Sequence, residues 1–102
     1  MELSNLFSGG ATANLGKIIN DDAFLVDVRT SGEFAEGHVK GSINIPVDSV
    51  ATQLEKFKNK KNIVVFCRSG ARSGMAKSIL EQNGFTNVFN AGTWESVNKY
   101  VK

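Results

Sequence analysis

The sequence predicts a single α/β domain built as a three-layer sandwich, in which helices cover both faces of a central parallel sheet of four to five strands. Two observations support this prediction. Short apolar runs rich in β-branched residues alternate along the chain with segments whose apolar residues recur at helical spacing. The two strongest runs carry almost no charge, which is typical of strands that are buried on both faces of a parallel sheet.

Four strands are expected. Ala23–Val28 and Asn62–Cys67 are the most apolar and form the centre of the predicted sheet. Ser42–Ile45, closed by Pro46, is a third strand and Asn87–Asn90 a fourth. The extreme N-terminus would supply the fifth strand if there is one.

Five helices are expected between these strands. A T-x-x-E capping box at Thr30 and Glu33 should open the second helix, Asp48 should cap the third, and Gly84 should end the fourth. The first, third, fourth and fifth helices each show an apolar stripe. In that order the stripes are Leu15, Ile18 and Ile19; Val50, Leu54 and Phe57; Met75, Ile79 and Leu80; and Trp94, Val97 and Val101.

Size and composition fit one ordinary domain, 1–102. Its 102 residues are 41% hydrophobic and suffice for one core. The net charge of +2 is too small for a chain that binds a polyanion, so we expect no nucleic-acid partner.

We expect no membrane association and a cytoplasmic location, because no run could span a bilayer and no signal-peptide pattern begins the chain. The single cysteine excludes an internal disulfide and suits a reducing compartment.

Chemistry is expected at Cys67, the last residue of the most apolar strand. Ligands bind at the carboxyl ends of the strands of an open α/β sheet, and Cys67 lies at that edge. The loop Arg68–Arg72 follows it, and a helix should begin near Ser73. Amides of such a turn and the helix N-terminus would form a cradle for an anion, here the thiolate or persulfide of Cys67. The cradle and the two arginines would lower the thiol pKa, and Gly70 would supply the positive φ of a tight loop.

Each of these residues has a plainer interpretation. Cys67 could be a small buried hydrophobe that ends a core strand. Arg68 and Arg72 could be solvated surface cations. The combination of cysteine, arginines and glycine before a helix favours the anion cradle.

This loop and four flanking segments resemble the rhodanese-homology family. In chain order the segments are Asp27-Val28-Arg29, Glu33-Phe34, Gly37 to Pro46, the loop Cys67 to Ser73, and Gly84-Phe85 with Asn90 to Trp94. The resemblance runs from about Ala23 to Trp94; residues 1–10 resemble nothing specific. One departure is Ala91-Gly92, where many members have two glycines.

The resemblance implies a fold of the rhodanese type and sulfurtransferase activity without a cofactor. Cys67 matches the sulfur-accepting nucleophile, and the substrate-binding loop matches Arg68, Ser69, Gly70, Ala71, Arg72 and Ser73. Asp27, Arg29, Glu33 and His38 match positions that are mostly structural, with Asp27 and Arg29 supporting the site. The partners would be a small-molecule sulfur donor and acceptor, with a protein thiol as a further acceptor class. The oligomeric state stays open.

The residues themselves add further expectations. Arg29 and Glu33 have the i, i+4 spacing of an ion pair. His38 is the only histidine, and no orienting third residue supports a Cys–His hydrolase. Trp94 should pack the last helix, with the pocket mouth as its alternative place. Four lysines, Lys56, Lys58, Lys60 and Lys61, should form a solvated face, and no metal site has recognisable spacing.

Two other functions are alternatives to a thiosulfate-processing sulfurtransferase. The first is a persulfide carrier or binding module for a partner protein. The second is a phosphatase or arsenate reductase, whose loops have the form Cys-x5-Arg. Here the arginine comes one residue earlier, at Arg72, and no second cysteine could resolve an arsenate adduct. The shorter loop favours sulfur transfer.

Overall fold

The computed structural model describes residues 15–101. Strands β1 to β4 are Ala23–Asp27, Ile43–Asn44, Asn62–Cys67 and Val88–Thr93. Helices α1 to α5 are Leu15–Ile19, Ser31–Glu36, Val47–Val50, Ala71–Gln82 and Trp94–Asn98, and a 3₁₀ helix spans Leu54–Phe57. The strands pair in parallel in the order β2-β1-β3-β4, which confirms the α/β prediction with a four-stranded sheet. The predicted N-terminal strand falls outside the described residues.

Two hydrophobic cores lie on opposite faces of the sheet. One is formed with α3, the 3₁₀ helix and α4, and it includes Val50, Phe57 and Leu80. The other is formed with α1 and α5 and includes Ile19 and Val97. The three-layer arrangement is therefore the one that the alternating sequence predicts.

Strand β3 supplies side chains to both cores. Ile63, Val65 and Cys67 belong to the core under α4, whereas Val64 and Phe66 belong to the opposite core. All five are fully buried. Because strand side chains alternate between faces, the sulfur of Cys67 is directed toward the α4 layer.

The predicted third helix is wrong as a single element. Helix α3 ends at Val50, and the 3₁₀ helix begins only at Leu54. Pro46, not Asp48, occupies the N-cap position of α3. The hydroxyl of Thr52 donates to the carbonyl oxygen of Ser49 at 3.0 Å, a local bond that competes with a continuing helix. The apolar stripe is still buried, because both short elements turn it toward the same core.

The strand predicted at Asn87–Asn90 lies further along the chain and is longer than expected. Strand β4 runs to Thr93, and its register with β3 shifts between Val65 and Phe66. Ala91 is the extra residue: Asn90 pairs with Val65, but Gly92 pairs with Phe66. A bulge of this kind re-aims the side chains on either side of it. Strand β2, predicted as Ser42–Ile45, is limited to Ile43–Asn44.

The start of α2 and the end of α4 follow the predicted signals closely. Thr30 and Glu33 form the capping box at the start of α2. Gly84 has φ +94°, and the amide of Phe85 donates to the Leu80 carbonyl, which closes α4. Two details differ: α4 begins at Ala71, two residues before the expected start, and Met75 is 58% exposed instead of lining the core.

Candidate active site

Cys67 lies at the carboxyl end of β3, and its side chain is fully buried. The chain leaves the strand at Arg68 and enters α4 at Ala71 after only three residues. This short connection brings the first turn of α4 against the sulfur. Because the first amides of a helix have no partner within the helix, they are free to face an anion.

Gly70 forms the closest contact of the loop with the sulfur. Its backbone amide donates to Cys67 Sγ at 3.0 Å. Its φ of +102° lies in the left-handed region, and a Cβ there would meet Gly92 Cα of strand β4 at 3.4 Å. A glycine therefore fits this position because of its backbone conformation, whereas a Cβ would make only an ordinary van der Waals contact with the neighbouring strand.

Ser73 is the second polar neighbour of the sulfur. Its hydroxyl oxygen lies 3.5 Å from Cys67 Sγ, and the residue is fully buried on the first turn of α4. The same hydroxyl lies 3.1 Å from the Gly70 carbonyl oxygen and 2.7 Å from Asn90 Oδ1. Sulfur, loop and strand β4 are thus connected through one hydroxyl.

These contacts decide the charge of the thiol. Burial by itself raises the pKa of Cys67, since it removes the thiolate from water. The Ser73 hydroxyl and the amides of Ser73, Gly70 and Ser69 outweigh burial, so the pKa is lowered from the ordinary cysteine value. The pocket therefore favours the nucleophilic thiolate.

Arg72 is bound by a carboxylate instead of facing open solvent. Its Nη1 and Nη2 donate to the two carboxylate oxygens of Glu33 at 2.7 and 3.1 Å. The hydrogen bond from Arg72 is the largest cause that lowers the pKa of Glu33 to about 2, and the pKa of Arg72 is raised in turn. The predicted Arg29–Glu33 pair is wrong, because Glu33 turns to the loop and Arg29 turns elsewhere.

Arg29 pairs with Asp27 beneath the same rim. The Asp27 carboxylate is fully buried and accepts bonds from Nε and Nη2 of Arg29, the shortest at 2.7 Å. Arg29 Nη2 also donates to the Gly37 carbonyl oxygen at 2.7 Å, and its guanidinium lies 4.7 Å from the centre of the Trp94 ring. This pair fixes the end of β1 at the carboxyl edge of the sheet, and its support of the site stays a prediction.

Arg68 borders an open cavity of about 250 Å³ at this edge of the sheet. The cavity is lined by Arg29, Glu33, Glu36, Gly37, Arg68, Trp94 and Glu95. Arg29 and Glu33 are already bound to other side chains, whereas Arg68 is exposed and has no salt bridge among residues 15–101. Its guanidinium is available to an incoming anion. Trp94 lines this cavity and also packs against the core under α5, so it lies at both of the positions expected for it.

The remaining candidates lie away from the sulfur. The His38 ring stacks on Phe34 with 3.8 Å between ring centres, and its Nδ1 lies 2.8 Å from the Phe34 carbonyl oxygen. Lys58 and Lys61 pair with exposed acids, and Lys60 lies over the Phe24 ring. Among the described residues, no group of three His, Cys, Asp or Glu side chains could hold a metal ion, and no helix is long and apolar enough to cross a membrane.

Asn90 is a contact that the sequence analysis did not single out. Its Oδ1 accepts from the Ser73 hydroxyl at 2.7 Å and from the Gly92 amide at 2.9 Å. A second cavity, of about 420 Å³, borders its other side together with Lys77, Lys99 and Tyr100. A polar residue at the end of the predicted strand, next to Ala91-Gly92, was the available signal, but its contact with Ser73 of α4 has no signature in the sequence.

The chain is similar to known proteins in both sequence and structure. A family model described as a rhodanese-like domain matches residues 11–98. The thiosulfate sulfurtransferase PspE of Escherichia coli K12 is 41% identical over 69 residues, and the match spans 66% of this chain and 66% of that protein, just under two thirds. A tRNA uridine(34) hydroxylase of Yersinia enterocolitica is 34% identical over 83 residues, 74% of this chain but only 24% of the hydroxylase.

One solved structure extends the comparison to three dimensions. It is described as a rhodanese with anions from E. coli, and it is similar to this chain with a TM-score of 0.66 and 37% identity. The similarity covers 72% of this chain and 89% of that one.

Proposed function

This chain belongs to the rhodanese-like domain family, a sulfurtransferase family, and from that premise we propose that it transfers sulfane sulfur through a persulfide on Cys67. The donor would be thiosulfate or a related small molecule, and the acceptor a thiophile such as cyanide or a thiol. One observation carries the proposal: the buried Cys67 sulfur accepts the Gly70 amide at 3.0 Å and faces the Ser73 hydroxyl. This is a pocket for a sulfur anion.

The first step forms the persulfide. The Cys67 thiolate attacks the outer sulfur of thiosulfate, a new S–S bond forms, and sulfite leaves with the electron pair of the bond that breaks. The negative charge then lies on the outer sulfur of the persulfide. Amides that already point at the pocket stabilise this charge without reorganising, which is the usual benefit of a prearranged anion cradle.

The second step returns the thiolate. The acceptor attacks the outer sulfur, cyanide for example becoming thiocyanate, and Cys67 leaves as the thiolate that began the cycle. A lowered thiol pKa favours both a populated nucleophile and a good leaving group. Since Cys67 is the only cysteine, the sulfur must pass to an acceptor outside this sequence.

Arg68 is the proposed contact for the donor. Thiosulfate is a dianion, and a guanidinium can hold two oxygens of its sulfonate end at once. Arg68 is the loop arginine without an ion-pair partner among residues 15–101, whereas Arg72 is occupied by Glu33. In this proposal Arg68 binds the donor, and Arg72 holds the loop.

A persulfide relay is the second candidate, and one comparison favours it. The hydroxylase relative is far longer than the matched region, so a domain of this kind also occurs as a minor part of a larger enzyme. In a relay, Cys67 would still become a persulfide, but a protein thiol would be its acceptor.

The cytoplasm remains the proposed location, on the ground that a free thiol nucleophile suits a reducing compartment.

Mass spectrometry after incubation with thiosulfate tests the proposal. We expect the intact mass to increase by one sulfur atom, cyanide to remove that sulfur as thiocyanate, and Cys67→Ser to abolish both changes. Ser78→Ala is the matched control, since it changes an exposed serine of α4 that lies outside the loop. Turnover by the serine variant would refute the mechanism. A persulfide that cyanide leaves intact but a protein thiol removes would favour the relay.

A further inference from the structure

The Ser73 hydroxyl has more acceptors than it has protons. Cys67 Sγ lies 3.5 Å away, Asn90 Oδ1 2.7 Å and the Gly70 carbonyl oxygen 3.1 Å. A serine hydroxyl carries a single hydrogen and can donate fully to only one of them at a time. The choice between sulfur and Asn90 therefore affects the stability of the thiolate.

The orientation of the Asn90 amide follows from its neighbours. The backbone amide of Gly92 can only donate, and it points at Oδ1 from 2.9 Å. Exchanging the oxygen and nitrogen would bring two donors together, so the oxygen must face both Gly92 and Ser73. The nitrogen then faces the Gly70 carbonyl oxygen at 3.4 Å. Asn90 is thus held as an acceptor for the Ser73 hydroxyl.

Ionisation of Cys67 changes what this hydroxyl can do. With a neutral thiol, the S–H can donate to the Ser73 oxygen while the Ser73 hydrogen stays on Asn90. A thiolate has no hydrogen to give and becomes the stronger acceptor, so the hydroxyl must rotate toward the sulfur to stabilise it. Asn90 loses one bond in this exchange but keeps the bond from Gly92.

We propose that Asn90 is a positioning residue that competes with the Cys67 thiolate for the Ser73 hydroxyl and thereby sets how readily the sulfur takes up and gives up negative charge. This inference rests on the proposed function, because it concerns the thiolate that starts and ends each cycle. Asn90 acts through Ser73 and has no contact with the reacting sulfur in this role.

Other charges near the sulfur do not replace this role. Arg72 of α4 interacts with the thiolate charge, but it is already bound to Glu33 of α2. Asp27 of β1 is neutralised by Arg29. Strand β4, which carries Asn90, contains no charged residue. Arg68 of the loop has no salt bridge among residues 15–101, but it is exposed and borders the open cavity. The acceptor supplied by Asn90 is therefore a neutral adjustment beside these charges.

The competition has opposite consequences for attack and departure. Without Asn90 the Gly70 carbonyl oxygen, at 3.1 Å, would be the only other acceptor near the hydroxyl among residues 15–101, so the sulfur would receive it more often and more thiolate would be present at a given pH. A better stabilised thiolate attacks more slowly but leaves more easily. Asn90 would thus keep the nucleophile reactive in the first step at some expense to the second.

A double-mutant cycle on the free thiol tests the inference. Cys67 is the only cysteine, so the ultraviolet absorbance of its thiolate can be titrated without interference from another thiol. We expect Asn90→Ala to increase the acid dissociation constant of the thiol about threefold to tenfold, the effect of one ordinary hydrogen bond. In a Ser73→Ala background the same substitution should have no effect.

Asn90→Asp provides a conservative comparison. Its carboxylate holds the hydroxyl more strongly than an amide does, so the thiol should titrate at higher pH, and the increase should be smaller in the Ser73→Ala background, where only the direct charge remains. Equal shifts with and without the Ser73 hydroxyl would overturn the inference for either substitution. So would an unchanged thiol in Asn90→Ala or Asn90→Asp.

The titration is independent of sulfur chemistry. If thiosulfate never yields a persulfide while the cycle behaves as expected, the proposed function fails and the coupling of Asn90 to the thiol stands. If the persulfide forms but the cycle shows no coupling through Ser73, the function stands and the role of Asn90 fails.

Discussion

Arg72 binds both carboxylate oxygens of Glu33, and this contact ties the loop after β3 to the first turn of α2. Glu33 has a second task, because the same carboxylate accepts the Thr30 amide at 2.9 Å in the capping box. One acidic side chain therefore stabilises a helix start and holds the loop around the sulfur.

Glu33→Gln should lower stability at neutral pH, and the difference from the native chain should shrink in acid. The pKa of Glu33 is about 2 in the folded chain, below the ordinary 4.5. A depressed carboxyl pKa contributes stability that is complete above the unfolded value and is lost as the pH falls through the folded value. Melting temperatures measured from neutral pH to about pH 2 should converge between about 4.5 and about 2.

Glu36→Gln is the matched control, because Glu36 lies in the same helix and has no salt bridge among residues 15–101. A melting-temperature difference for Glu33→Gln that is constant over the whole pH range would contradict the assigned ion pair.

Ser73→Ala should raise the pKa of the Cys67 thiol. Burial raises this pKa, and the Ser73 hydroxyl is the largest cause that lowers it. Removing the hydroxyl leaves the loop amides in place, so the thiol should move toward the ordinary value. Alkylation by iodoacetamide on the acid side of the titration should slow by about tenfold, as for one hydrogen bond to a charged group. Ser78→Ala, an exposed position on the same helix, should leave the pH profile unchanged; a matching shift there would mean that losing any serine hydroxyl of α4 disturbs the thiol.

Arg68→Ala should impair the reaction with thiosulfate selectively. The loss of a charge-assisted contact should raise KM by an amount equivalent to about 1–3 kcal/mol and weaken the salt dependence. Transfer from a preformed persulfide to a neutral thiol should change much less, because that acceptor offers no anion to bind. Single-turnover measurements of the two half-reactions separate these effects. If both steps suffer equally, Arg68 supports the loop instead of the donor.

Asp27→Asn should be among the most destabilising single changes. It leaves the Arg29 guanidinium, only 5% exposed, without its carboxylate, and breaking a buried pair costs about 3–5 kcal/mol. Asp21→Asn is the control: its pair with Lys61 is 58% exposed on both sides, and such pairs contribute about 0–1 kcal/mol. Urea unfolding of both variants measures the contrast. Comparable losses would mean that burial does not set the contribution of the Asp27–Arg29 pair.

Aryl phosphates should be hydrolysed negligibly in comparison with sulfur transfer. Arg72 is the fifth residue after Cys67, one fewer than in a Cys-x5-Arg loop, and its guanidinium is bound to Glu33. A tetrahedral oxyanion at Cys67 would therefore lack both the extra loop residue and the arginine that a Cys-x5-Arg loop supplies. A colorimetric phosphatase assay with Cys67→Ser as blank measures this directly, and Cys67-dependent phosphatase turnover above the sulfurtransferase rate would reverse the ranking.

Local signals predicted most of the fold. Apolar β-branched runs located β1 and β3, and the Thr30–Glu33 box and Gly84 marked helix ends, because each depends on residues close together in the chain. The third helix was mispredicted because a stripe at helical spacing is also buried by two shorter elements.

Long-range partners were the part that the sequence could not supply. The sequence of the loop after Cys67 predicted its residues as a site. It did not predict that Glu33 pairs with Arg72, 39 positions away, and not with the nearby Arg29. Asn90 of β4 meets Ser73 of α4, 17 positions away, across two neighbouring elements. The spacing of residues within one segment cannot show which of two possible partners a side chain binds, because that depends on which elements the sheet brings together.

The complete burial of Cys67 has a practical consequence for chemical probes. A thiol can be highly ionised and still be out of reach, so the size of an electrophile matters as much as its reactivity. A haloacetamide is small around its reacting carbon, whereas a maleimide attached to a large dye is bulky close to its reacting double bond. Thiol counting with such dyes would report no free cysteine in a folded chain that holds one, and inhibitor searches based on them would pass over the site.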